Sequence, residues 1–241
     1  MLRTRNDQIL HELTPFVVAT PDHLERLDRS PFGLSIEDTD VIDPMRMSSE
    51  RFLLLLQTLD QLTFGPEGMP MPRWVFYDCA EIPGAIFGFG RRAETLPGSV
   101  REALGLRDGE TGLVPFSMYI AIPVRPPDVW FGHNLASLNP TFPALGLRGL
   151  ASITKALALK VFRCRTQIGA TQWDSEALHI HSRFGPLDLL DAALGPIEHI
   201  SGRGDPRRWI ALTCSHRGGA ISQAALSGSV EGHVCAFAWR I

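Results

Sequence analysis

The segment GLASITKALALKVFR, Gly149 to Arg163, constrains this chain more than any other: Leu150, Ile153, Leu157 and Val161 recur at helical spacing. The strand-like run VWFGHNLASLNP precedes it and the short run TQIGATQ follows. A strand, a helix and a strand in that order fold most simply as a parallel crossover, and such a crossover is right-handed.

The other segments are read around this crossover. SSERFLLLLQTLDQL is a helix, with Ser48 or Ser49 as its cap and Glu50 and Arg51 in its first turn. TFGPEGMPMPR breaks it. RWVFYDCAE is aromatic and β-branched, and with AIFGFGRRA it reads as a hairpin from Arg73 to Ala93. ETLPGSVREALGLRDGETG is a loop with one helical turn, and LVPFSMYIAIPV is a further strand. TQWDSEALHIHSRFG, Thr171 to Gly185, has a compact helical pattern with a glycine stop. The tail offers LDLLDAAL, RRWIALTCS and GHVCAFAWRI as strands. The order predicts an α+β domain, with a mixed, largely antiparallel central sheet flanked by helices. Residues 1–45 read as an N-terminal extension of unknown role, and 46–241 as the domain with extra C-terminal strands.

With 241 residues, 44% apolar and 20% charged, and a formal net charge of −3, this is the composition of an ordinary globular chain with a sizeable core. The pairs Arg91–Arg92 and Arg207–Arg208 are short and lie among mixed charge, which argues against a nucleic-acid partner. The first residues lack the apolar run of a secretory signal. The longest apolar stretch, Ala144 to Phe162, carries Arg148, Lys155 and Lys160, so it reads as a soluble helix and not a membrane span. Cys79, Cys164, Cys214 and Cys235 show no metal-ligand or disulfide spacing. Free thiols in the cytoplasm are expected.

Two local patterns resemble the GNAT superfamily, the acyl-CoA-dependent N-acyltransferases. In that family the second large helix carries N-x-x-A-x-x-x-Y-x-K-x-G-F, and here Asp174, Ala177, His181, Arg183 and Gly185 stand at the matching positions, followed by Pro186. The family also has a strand ending in V-x-P and then a loop R/Q-x-x-G-x-G/A that opens a helix. Leu138-Asn139-Pro140 is similar to the strand end, and Gly146-Leu147-Arg148-Gly149-Leu150-Ala151 to the loop, with Gly146 where the family has Arg or Gln. The resemblance spans roughly Ser48 to Leu190.

It implies direct attack of an amine on a thioester, with acetyl-CoA or a longer acyl-CoA, or acyl carrier protein, as donor and a small-molecule or peptide amine as acceptor. The implied donor site consists of the backbone of Leu135, Ala136, Ser137 and Leu138, the turn Gly146 to Ser152 with Arg148, Gly149 and Ala151, and Asp174 as a helix cap. Glycines and helix N-terminal amides suit a pyrophosphate, and Arg148 supplies a cation. His133 is the candidate base for the amine, and His181, in the tyrosine position, the candidate acid for the departing thiolate. Each histidine also has a plainer reading: His133 as a strand-end histidine bonded to backbone, His181 as a core residue.

His179 and His181, two apart on a helix, point about 200° apart and cannot share a metal ion. No metal is expected. Asp78 and Glu81 either bind a substrate ammonium or are turn carboxylates, and Trp130 and Trp173 anchor packing. LVPFSMYIAIPV either lines an acyl channel or is a buried strand. Two other classes stay open: a GNAT-like binding protein or decarboxylase without acyl transfer, and a non-enzymatic α+β interaction module.

Overall fold

The computed structural model describes residues 11–21, 27–28, 40–67, 70–81, 86–125, 129–172, 188–191, 219–220 and 234–240. Along the chain run β1 (Thr14–Val18), β2 (Asp40–Ile42), α1 (Glu50–Phe64), α2 (Arg73–Glu81), β3 (Ile86–Arg92), α3 (Gly98–Ala103), β4 (Leu113–Arg125), β5 (Val129–Ser137), α4 (Leu150–Val161), β6 (Thr166–Gln172), β7 (Asp188–Asp191), β8 (Gly219–Ala220) and β9 (Val234–Arg240). This is the expected mixed α+β order. The ladders β1·β3, β3·β4, β6·β9, β7·β8 and β7·β9 are antiparallel, while β1·β2 and β5·β6 are parallel. The β5·β6 pair is the crossover read through α4.

The chain divides into two compact units, Met1–Ile120 with Asn134–Phe162, and Ala121–His133 with Arg163–Ile241. In the first, β1 lies between β2 and β3, so residues without a readable role in the sequence supply a core strand; Phe16, Val17 and Val18 are buried. Helices cover both faces of β1, β3 and β4. Phe16 meets Phe52 of α1 edge to face at 4.9 Å, whereas Ser117 of β4 hydrogen-bonds Thr154 of α4 at 2.6 Å. Register explains the split. Phe16 stands opposite Gly88, and Gly88 opposite Met118, so those three share one face, and strand alternation turns Ser117 to the other. A Cβ on Gly88 would lie 2.0 Å from the Ser117 carbonyl oxygen and 2.5 Å from the Phe16 ring, so this close approach of strands and helix needs glycine.

One reading of the sequence fails here. Arg73 to Glu81 is a helix and not the first arm of a hairpin. Among its described side chains Phe76, Cys79 and Ala80 are buried, spaced three and four apart, and that period outweighs the strand propensity of its aromatic and β-branched residues. Among the described residues of the predicted hairpin only Ile86–Arg92 is a strand, and it pairs with β1 and β4.

In the second unit, β6 pairs with β5 on one side and β9 on the other, and β9 continues into β7 and β8. The parallel β5·β6 ladder runs from Val129↔Thr166 to Gly132↔Gly169 and ends there, while β6 goes on pairing with β9 as far as Gln172. Among the described residues, no helix is long and apolar enough to cross a membrane.

Candidate functional site

The crossover places the sequence-derived donor residues in one stretch, from the end of β5 through a loop to the start of α4. Ala136, Ser137 and Leu138 are buried. The Leu138 amide donates to the Phe116 carbonyl of β4 at 2.9 Å, so it is already spent. Amides alternate in direction along a strand. Ala136 therefore aims its N–H the same way as Leu138, and Leu135 and Ser137 aim theirs to the opposite edge. Of the four backbone candidates, these two are directed away from β4. The Ser137 hydroxyl accepts the Asn139 N–H at 3.3 Å and tightens the exit from the strand.

The loop that follows is built by its glycines. Pro143–Leu145 forms a short 3-10 turn, closed by the Gly146 amide on the Pro143 carbonyl at 3.1 Å. Gly146 (φ 70°) and Gly149 (φ 93°) are left-handed, and Gly149 stands just before the first residue of α4. A Cβ at either would meet no atom within 4 Å, so conformation and not crowding demands glycine. The space beside both is open. Leu147 is buried and anchors the loop; Arg148, Gly146 and Gly149 are exposed. The Leu150 amide bonds the Leu147 carbonyl and the Ile153 amide the Gly149 carbonyl, and helix geometry leaves the amides of Ala151 and Ser152 without an intrahelical acceptor. No side chain caps the helix. An exposed arginine beside uncapped amides suits an anionic group.

His133 is half-buried, its ring edge-on to Phe131 with centroids 6.2 Å apart, and alternation puts it on the face of β5 opposite Asn134. The helix read at Thr171 to Gly185 overlaps β6, to which Thr171 and Gln172 belong; Trp173, Asp174, Ala177, His181, Arg183 and Gly185 lie outside the described residues, as does RRWIALTCS. Asp78 and Glu81 sit in α2, so neither is a hairpin-turn carboxylate. Trp130 is buried, in keeping with a packing role. LVPFSMYIAIPV is a buried strand: Val114, Phe116, Ser117, Met118, Tyr119 and Ile120 are covered on both faces. Lys155 of α4 is buried too, with Nζ 5.8 Å from the centre of the Tyr119 ring.

The residue the sequence reading missed is Asp60. It falls on the apolar stripe of α1, four positions after Leu56 and seven after Leu53, and only 1% of it is exposed. Its carboxylate accepts the Met71 amide N–H at 2.6 Å and the Asn134 Nδ2–H at 2.7 Å. Burial pushes its pKa up to about 6, against the pull of those two hydrogen bonds. The signal was present: a carboxylate on a core-facing helical position.

A second polar cluster lies at the start of α1, in a cleft of about 550 Å³ lined by Glu50, Arg51, Leu54 and Arg107 to Glu110. Arg51 grips Glu110 with two bonds, at 2.6 and 2.9 Å, and donates to the Gly105 carbonyl at 2.8 Å. The guanidinium holds the Glu110 carboxyl down at about 2. These groups satisfy one another and brace a turn.

No family model matches the sequence, and no curated protein does. Among solved structures the chain is similar to one described as the NatC complex bound to Gag peptide and CoA, at 9% identity and TM-score 0.43, over 83% of this chain and 96% of that one. It is also similar to an acetyltransferase of the GNAT family from Bacillus anthracis, at 6% identity and TM-score 0.39, over 81% of this chain and 90% of that one. Likeness at this level does not by itself assign an activity.

Proposed function

We propose that the chain is a GNAT-type acyltransferase that moves an acyl group from acetyl-CoA, a longer acyl-CoA or acyl carrier protein to the amine of a small molecule or peptide. The observation that carries the reading is the turn Gly146 to Ser152: two left-handed glycines, an exposed arginine and uncapped helix amides, on the loop that follows a strand with two amides turned away from β4. In this reading Arg148 and the amides of Ala151 and Ser152 hold the donor's pyrophosphate, and the amides of Leu135 and Ser137 receive the donor arm and polarise its thioester carbonyl. His133 takes the proton of the attacking amine. His181 and Asp174 keep the roles the resemblance implies, acid for the thiolate and helix cap.

Calorimetric titration with CoA, acetyl-CoA and a long-chain acyl-CoA, with ATP as control, tests the site. Saturable binding of a CoA species that Arg148→Glu weakens by about tenfold or more is expected, since the change removes one charge-assisted contact and adds a repulsive one. Unchanged affinity in that variant would move the pyrophosphate elsewhere. The substituted motif positions Gly146 and His181 favour a second reading, a GNAT-like binding protein or decarboxylase. Amine-dependent release of free thiol separates the two.

A further inference from the structure

Resting on the acyl-transfer reading, we propose that Asp60 is a positioning residue: from α1 it fixes Asn134, and through Asn134 the two amides of β5 that face the donor. Asp60 is a poor choice for the interior it occupies. Its neighbours on the stripe, Leu53, Leu56 and Leu59, already make the apolar contact of α1, and a carboxylate there is desolvated, as its raised pKa records. What it gains is two hydrogen bonds to different elements: Met71, at the entrance to α2, and Asn134, on β5.

The second of these falls at a telling place. Asn134 lies two residues past Gly132, where the β5·β6 ladder ends, and one residue before Leu135. At its far end β5 is held by the Leu138 amide on Phe116. The stretch with the amides of Leu135 and Ser137 is thus bonded to β4 along one edge and tied at Asn134 to a helix carboxylate. Carbonyl polarisation depends on donors held within tenths of an ångström of their working position, so loosening this tie reaches turnover before it reaches donor affinity, which the loop and α4 supply.

The experiment is a reciprocal swap. In Asp60→Asn the α1 side chain keeps an oxygen for the Met71 N–H but turns an NH2 toward that of Asn134; a bond re-forms only if the Asn134 amide turns over to accept it, and it is then neutral and weaker. In the double variant D60N/N134D the α1 amide accepts from Met71 with its oxygen and donates with its nitrogen to the carboxylate now on β5, which restores both bonds. D60N is expected to lower kcat by tenfold or more while donor KM and CoA affinity stay within about threefold, and the swap to recover most of kcat. Amide hydrogen exchange, read without turnover, should show Ala136 and Leu138, the amides turned to β4, exchanging several-fold faster in D60N and slow again in the swap.

Asn134→Ala leaves no group to pair with Asp60, so that enzyme with unchanged kcat, or with unchanged exchange at those two amides, overturns the proposal, as does a folded swap that recovers neither. Should the swap not fold, Asn134→Ala, expected to copy the kcat loss of D60N, decides alone. If the unaltered protein releases no thiol from any CoA donor, the acyl-transfer reading fails, and hydrogen exchange alone still decides whether Asp60 fixes β5.

Discussion

Asp60→Asn should change the pH dependence of stability in a way that needs no knowledge of the new hydrogen bonds. The carboxyl titrates near 3.8 unfolded and at about 6 folded. Between those values the folded chain holds a proton that the unfolded chain has released, so stability falls as pH rises through this window and levels off above about 6. A shift of about two units is worth about 3 kcal/mol, at about 1.4 kcal/mol per unit. An amide at this position does not titrate. Whatever constant offset the substitution introduces, the variant should therefore gain on the wild type by about 2 kcal/mol between pH 4 and pH 7. Urea denaturation of both proteins at half-unit steps across that range, with m-values checked for constancy, gives the difference directly. A difference independent of pH would show that Asp60 is solvated in the folded state, and would refute the burial argument. The same variant is expected to turn over slowly, so its relative gain in stability with rising pH brings no gain in activity.

Glu110 has the opposite sign. Its folded pKa is depressed, so Glu110→Gln should cost stability above pH 4.5, and that cost should fade as pH falls toward 2; because Arg51 is 42% exposed, screening limits the effect to about 1 kcal/mol, and added salt should shrink it in chemical denaturation. Gly88→Ala places a methyl on a backbone carbonyl and a buried ring, and should cost several kcal/mol or abolish cooperative unfolding in calorimetry. Gly149→Ala meets no atom, so its cost should be the left-handed conformation alone, about 1 to 2 kcal/mol in thermal or urea unfolding; a neutral result would mean that the turn relaxes at no cost.

What the sequence made legible was what has a period. Leu150 to Val161 announces its helix by spacing, and the apolar runs around it announce β4, β5 and β6. The stretch Arg73 to Glu81 hid its helix because Trp74, Val75, Phe76 and Tyr77 are strand-favouring residues, and only the spacing of Phe76, Cys79 and Ala80 betrays which faces inward. β1 was hidden by its length, five residues with a proline, too short for a pattern. At the site, the glycines of the loop were readable because positive φ needs them. The spent amide of Leu138 was not, since it depends on Phe116, far away in sequence. Asp60 escaped notice because a charged residue in a helix is ordinarily a surface residue, although its spacing from Leu53 and Leu56 puts it on the apolar stripe.

The placement of β9 bears on how the chain emerges during synthesis. Every residue of the first unit has been made once Phe162 is out, but β6 finds its antiparallel neighbour only when Val234 to Arg240 arrive, roughly sixty residues after Gln172. At ribosomal speeds of about 5 to 20 residues per second, that edge waits for several seconds with its backbone groups unmatched. An unmatched edge is where chains join to one another, so nascent protein should be most prone to association in this interval and should depend most on chaperones then.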